Sequence, residues 1–176
     1  NEGYHSGSAE RTVREELCDE AIRLTMLLLD APLTAQPDTY ALAALMFLHA
    51  ARLPTRLDAD GDLNPLLEQD RSRWDGWLVE EGLNLLDRSA RGTVVSAYHL
   101  EAAIAAAHAT AHGVETTNWR EIVHLYDRLM DVAPSPVVAL NRAIAIGQAD
   151  GPGPGLEALR SIADADRLRH YPFYPA

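Results

Sequence analysis

The sequence predicts an all-α fold of about seven helices packed as antiparallel pairs in one domain spanning residues 1–176. Three observations carry this reading. Apolar residues recur at helical spacing through most of the chain, and the alternation of a half-buried strand is nearly absent. Hydrophobic residues make up 47% of the chain but aromatics only 6%, so the core is built from Ala, Leu, Ile and Val, which suits close helix packing. Proline- and glycine-rich breaks separate the periodic segments.

The first helix is expected over Ser8–Leu29. Ser8 can cap it, Glu10, Glu15 and Glu16 load its early turns, and Val13, Leu17, Ala21, Leu24 and Leu28 form its apolar stripe. "DAPLTAQPD" breaks it with two prolines. The second, Pro37–Leu53, is apolar on most sides through "TYALAALMFLHAA" and should be the central, buried helix. A long connection, Pro54–Gln69, follows; long ordered loops tend to be functional or to carry turns of their own. The third helix is expected over Asp70–Ala90, the fourth over Val94–His112 and the fifth over Thr117–Val132. "APSP" precedes a sixth, Pro136–Gln148. "ADGPGPG" reads as a linker before a seventh, Leu156–Ala165, and "RLRHYPFYPA" reads as a helix cut off at the end of the chain.

Charge weighs against one class of function. The net charge of −11 opposes phosphate neutralisation, so this segment is not expected to bind nucleic acid itself. All fifteen cationic side chains are arginine, which suits bidentate carboxylate pairing, although the codon usage of the source genome gives the same bias. No apolar run is long enough to span a membrane, and the polar start carries no signal peptide. Cys18, the one cysteine, reads as a buried structural thiol compatible with a reducing, cytoplasmic setting.

Within the long connection, "LDADGDLNPLLEQD" sets Asp58, Asp60 and Asp62 at alternate positions around Gly61. A calcium loop with Gly61 at its sixth position has Arg56 at the first and Leu67 at the twelfth, where a carboxylate ligand and a bidentate Glu belong. General acid–base work needs a carboxyl with a raised pKa, but Arg52, Arg56, Arg71 and Arg73 flank the loop and favour ionised carboxylates. An Asp–Arg network bracing the bend is the better account. Gly61 supplies the turn, and Asp70 and Asp75 stand at the start of the third helix. His49 is expected in the core within reach of this loop. His108 and His112, one helical turn apart, lack a third zinc ligand and read as paired surface histidines. "GQADGPGPG" lacks the Lys-Ser/Thr of a phosphate loop. Trp74, Trp77, Trp119 and Tyr126 fall at helix-packing positions, a partner-binding groove being the second reading. No cofactor is implied.

Toward the C-terminus a repeat emerges. In "NWREIVHLYDRLMDVAPSPVVALNRAIAIGQADGPGPGLEAL" a helix closed by Pro134 is followed by one with small Ala143 and Ala145, then by "GLEAL". Ile122 and Leu156 lie 34 positions apart. This resembles the tetratricopeptide pattern, which implies helix pairs stacked as a right-handed solenoid that binds protein segments.

Several pieces together resemble one larger family: Asn1-Glu-Gly-Tyr4, Asp60-Gly-Asp-Leu63, Gln69-Asp-Arg-Ser-Arg-Trp-Asp75 and Ser135-Pro-Val-Val-Ala-Leu-Asn-Arg142. Their order and spacing are similar to the bacterial extracytoplasmic-function RNA polymerase sigma factors that carry a long C-terminal tetratricopeptide-like extension. The resemblance implies two sigma domains ahead of this chain, which bind core polymerase and promoter DNA, and a last helix beyond it. It therefore implies an isolated regulatory extension without catalysis. Its partners are the sigma domains of the same polypeptide and core polymerase, with DNA reached only through the preceding domains. Asp58, Asp60, Gly61, Asp62, Leu63, Asp70, Arg71, Arg73 and Trp74 are the expected interaction or structural motif. The alternative is a helical sensor of a small molecule or metal that gates the sigma domains.

Overall fold

A computed structural model describes residues 8–58, 62–163 and 168, with side chains described from Glu16 onward. The motif at Asn1–Tyr4, the Ser8 and Val13 side chains, Asp60, Gly61 and all of the terminal segment except Leu168 therefore lie outside the described residues. Among the described residues there are seven α-helices and no strand: α1 Ser8–Asp30, α2 Pro37–Ala50, α3 Gly76–Ser89, α4 Ala97–Ala109, α5 Trp119–Val132, α6 Pro136–Asp150 and α7 Pro152–Arg160. The predicted all-α class is what forms. The chain packs as two compact units, residues 1–117 and 118–176.

In the first unit α2 is central and packs against α1, α3 and α4. Its alanines explain why. Ala41, Ala43, Ala44 and Ala50 are buried together with Phe47 and Leu48, and small side chains let neighbouring helices approach from several directions. Leu85 of α3 and Ala102 of α4 complete the cluster around Ala43, Ala44 and Phe47. The approach of α3 is close enough that a Cβ on Gly82 would lie 2.8 Å from Leu48 Cγ. At the rim Arg88 donates to the Tyr40 hydroxyl at 2.6 Å and lies over its ring.

The apolar stripe expected on α1 is not the face that docks. Thr25 is buried, with its hydroxyl against Ala21 O and Met46 Sδ, and Ile22 and Leu29 pack on the α2 cluster. Leu17, Leu24 and Leu28 are exposed instead. Helical spacing places Val13, Leu17, Ala21, Leu24 and Leu28 along one side, but α2 takes the adjacent strip of Ile22, Thr25 and Leu29.

Helix starts follow local chemistry. Pro37 and Pro136 occupy first turns, where a missing N–H costs nothing. Asp75, Asn118 and Ser135 cap α3, α5 and α6 by accepting from Leu78, Glu121 and Val138 N–H. The Asp75 cap starts α3 six residues later than the periodicity predicts.

In the second unit α6 packs against both α5 and α7. Ile122, Leu125 and Leu129 of α5 and Leu140, Ala143 and Ala145 of α6 are buried, and an Arg142–Asp127 ion pair links the two helices. The break before α7 is shorter than the predicted linker. It is Gly151 alone, at φ 99°, and Pro152 through Gly155 already belong to the helix.

Candidate functional site

The connection between α2 and α3 is a built structure. It begins with a 3₁₀ turn at Leu53–Thr55. The chain then folds back on itself: Asp58 N–H donates to Asp62 O at 2.9 Å, Asn64 N–H donates to Arg56 O at 3.0 Å, and Leu57 and Leu63 form an isolated antiparallel bridge. The Asp58 carboxylate accepts from Asp62 N–H at 2.9 Å and so closes the miniature hairpin. A second 3₁₀ turn, Arg71–Arg73, is capped by Asp70, which accepts from Ser72 N–H at 3.1 Å and from its hydroxyl at 2.6 Å. Those two bonds hold the Asp70 carboxyl below its ordinary pKa.

Beneath the hairpin lies a hub that joins residues far apart in sequence. Trp74 is 7% exposed, and its indole N–H donates to the Thr55 hydroxyl at 2.9 Å. The guanidinium carbons of Arg52 and Arg71 lie 5.5 and 5.7 Å from the Trp74 ring centroid, within cation–π range. Buried Gln69 accepts from Arg52 Nε at 3.2 Å and donates to Asn64 O at 2.8 Å. Asn64 in turn donates to Thr55 O at 3.1 Å.

Arg71 ties this hub to α4. Its Nη1 donates to His108 O at 2.9 Å, to Ala111 O at 3.3 Å and to the Thr117 hydroxyl at 2.9 Å. The terminal carbonyls of a helix lack partners and carry partial negative charge, so a guanidinium there satisfies both geometry and field. Burial lowers the Arg71 pKa from its ordinary value, and Glu115 acts in the opposite direction. Arg73 reaches Pro54 O at 3.5 Å. Carbonyls, a hydroxyl and an indole ring, not an aspartate, therefore place Arg71, whereas the charge of Arg73 also lowers the Asp70 pKa. These acceptors are distant in sequence, and a guanidinium that reaches them is already directed inward.

The other expected residues separate. His108 is buried and His112 exposed, because α4 ends at Ala109 and the one-turn register between them is lost. His49 keeps an exposed surface, yet burial of its imidazole, with the charges of Arg52 and Arg56, pushes its pKa down to about 4. Trp77 is 63% exposed despite a tilted contact with Phe47, whereas Trp119 and Tyr126 are half-buried. Among the described residues no group of three or more His, Cys, Asp or Glu is placed to hold a metal ion. No described helix is long and apolar enough to cross a membrane. Arg52, Thr55 and Gln69, the supports of Trp74, were not singled out as one site by the sequence. Their separations of 14 to 19 residues follow no helical or strand period.

His108 makes the hub sensitive to acid. Its pKa is pushed down to about 3, first by burial and then by the positive charge of Arg71, Arg52 and His49. In the unfolded chain the imidazole titrates near pH 6.5. The folded-state pKa is therefore depressed, and this contribution to stability is complete above about pH 6.5 and is lost as pH falls toward 3. We expect a loss of about 2 kcal/mol between roughly pH 6.5 and 5. In urea melts across that range, His108→Gln should flatten the slope. An unchanged slope would rule out His108 as its source.

The carboxylates of the hairpin face outward. Asp58, Asp62, Glu68 and Asp70 are all exposed, while Thr55, Gln69 and Trp74 are buried. Among the described residues the site is thus an acidic, hydrogen-bonded loop on an arginine–tryptophan base.

Comparisons with known proteins place this arrangement. The model of a family of unknown function, DUF6596, matches residues 1–90, which include α1, α2, the whole hairpin and α3. An uncharacterized protein of Rhizobium meliloti (strain 1021) is 40% identical over 174 residues, which is 99% of this chain. The chain spans 40% of the length of that relative. No solved structure matches.

Proposed function

We propose that this chain, which belongs to the DUF6596 family, is the regulatory, protein-binding extension of an RNA polymerase sigma factor and modulates initiation by the sigma domains of its parent protein. The observation that carries the reading is the relative of which this chain spans only 40%, taken with motifs that resemble sigma factors bearing such an extension. The net charge of −11 supports the same division of labour, with DNA contacted by preceding domains and the extension engaging protein. The partners in this reading are the sigma domains of the same polypeptide and core polymerase, in the cytoplasm. The extension is a binding module and not a catalyst.

The hairpin is the contact element in this proposal, and its two kinds of carboxylate separate bracing from contact. The Asp58 carboxylate closes the hairpin, whereas Asp62 closes it only through its backbone and its residue is exposed. Asp62→Ala should therefore leave the fold intact, and Asp60→Ala/Asp62→Ala in the full-length protein should change transcript output severalfold in a reconstituted initiation assay. Asp58→Ala should lower stability by about 0.5–1.5 kcal/mol, the worth of one hydrogen bond. Unchanged transcription from a folded Asp60→Ala/Asp62→Ala protein would sink the contact role.

A further inference from the structure

The exposed face of α1 has a defined pattern. Leu17 is 63% exposed, Leu24 49%, Leu27 51% and Leu28 45%. Leu17 and Leu24 are seven residues apart, and Leu27 and Leu28 follow by three and four. That is the spacing of a coiled-coil seam, in which apolar residues alternate three and four apart along one side. The neighbouring side of the helix is already occupied by α2 through Thr25, Ile22 and Leu29. A protein surface seldom leaves four leucines exposed on one helix face unless something binds there.

The charges beside the ridge say what kind of partner fits. Glu16, Asp19, Glu20 and Asp30 are exposed on α1, and Arg23 is neutralised by Glu20 through two 2.7 Å hydrogen bonds. Glu20 stands within the seam, between Leu17 and Leu24. An anionic bilayer repels such a face, since interfacial helices flank their apolar side with Lys and Arg. A second copy is equally disfavoured: it sets acid against acid in a chain of net charge −11.

We propose that the leucine face of α1 docks an amphipathic helix with a heptad-spaced apolar stripe and Arg/Lys flanks, supplied by the part of the parent polypeptide outside residues 1–176. The proposal rests on the reading of this chain as an extension of a longer protein, and the relative that exceeds it in length leaves ample chain for such a helix. The seam gives register, and the basic flanks meet Glu16 and Asp19.

The test places a photo-crosslinking amino acid at Leu24, and separately at Leu28, in the full-length parent protein. The expected product is an intramolecular crosslink to a basic amphipathic helix outside residues 1–176. Its yield should fall by about tenfold when Leu17 and Leu27 are replaced by Glu, and should also fall in Glu16→Lys/Glu20→Lys. All these side chains are exposed, so circular dichroism should remain that of the parent. A crosslink to a second copy, a crosslink within residues 1–176, retention on anionic vesicles through this face, or no crosslink overturns the proposal. Reconstituted transcription is scored separately. A parent that crosslinks as expected but does not direct initiation sinks the sigma reading and leaves the docking face standing. One that initiates without the crosslink sinks the docking face alone.

Discussion

Trp74→Ala is expected to destabilise the first unit by about 3–5 kcal/mol, the range for truncating a large buried aromatic. The indole fills the space under the hairpin, lies near the Arg52 and Arg71 guanidiniums and donates to Thr55. Truncation removes all three at once. It leaves a cavity between the loop base and the α4 terminus, and it leaves Arg71 without the ring that orients it toward His108 O and the Thr117 hydroxyl. Trp74→Phe separates the contributions. It keeps most of the packing but loses the indole N–H, and should cost about 1–2 kcal/mol. Urea titration followed by far-UV circular dichroism measures both. A Trp74→Ala protein with near-parent stability would mean that the hub is decorative, and the acidic loop would lose its base.

The second large effect is expected in the other unit. A Cβ on Gly155 would lie 2.7 Å from Gly147 Cα, 3.0 Å from Gly147 N and 3.2 Å from Ala143 O. These are backbone atoms of α6, so no side chain can rotate aside. Gly155→Ala must push α7 away from α6, and overpacking of this kind costs about 1–3 kcal/mol. Gly155→Val should cost more. Gly153 is the control, because nothing lies within 4 Å of its added Cβ, and Gly153→Ala should be neutral or slightly stabilising. Amide hydrogen exchange reads the result: protection in α6 and α7 should fall in Gly155→Ala and hold in Gly153→Ala. Equal behaviour of the two would show that α6 and α7 do not depend on their glycine contact.

The Gly155 result bears on how far the sequence could be read. "ADGPGPG" carries every mark of a linker, and as a sequence it is one. In the fold only Gly151 breaks the helix, and Gly155 serves as a contact surface. Composition tells where a chain can bend; it does not tell which glycine another helix will need. The same limit applies at Trp74. Its motif, Gln69 to Asp75, stood out, but the sequence offered helix three as its setting. The Asp75 cap, an interaction spanning three residues, ends that expectation and leaves Trp74 extended below the hairpin.

What the sequence alone determined is the all-α class, the approximate position of all seven helices and the central place of α2. Each depends on local periodicity, capping and proline placement, which act over a few residues. It also located the acidic loop and weighed against a calcium loop there, because ligand order within twelve residues is a local property. Tertiary structure alone decided which way side chains with two plausible sides would face. The α1 stripe was legible as apolar, yet α2 occupied the neighbouring strip and left Leu17, Leu24 and Leu28 outside. The arginines around the loop were legible as partners for its aspartates, yet Arg71 turned inward to the end of α4. His108 was legible as a surface residue, yet the same packing buried it. In each case the deciding neighbour lies tens of residues away, and no local pattern encodes the direction from which it arrives.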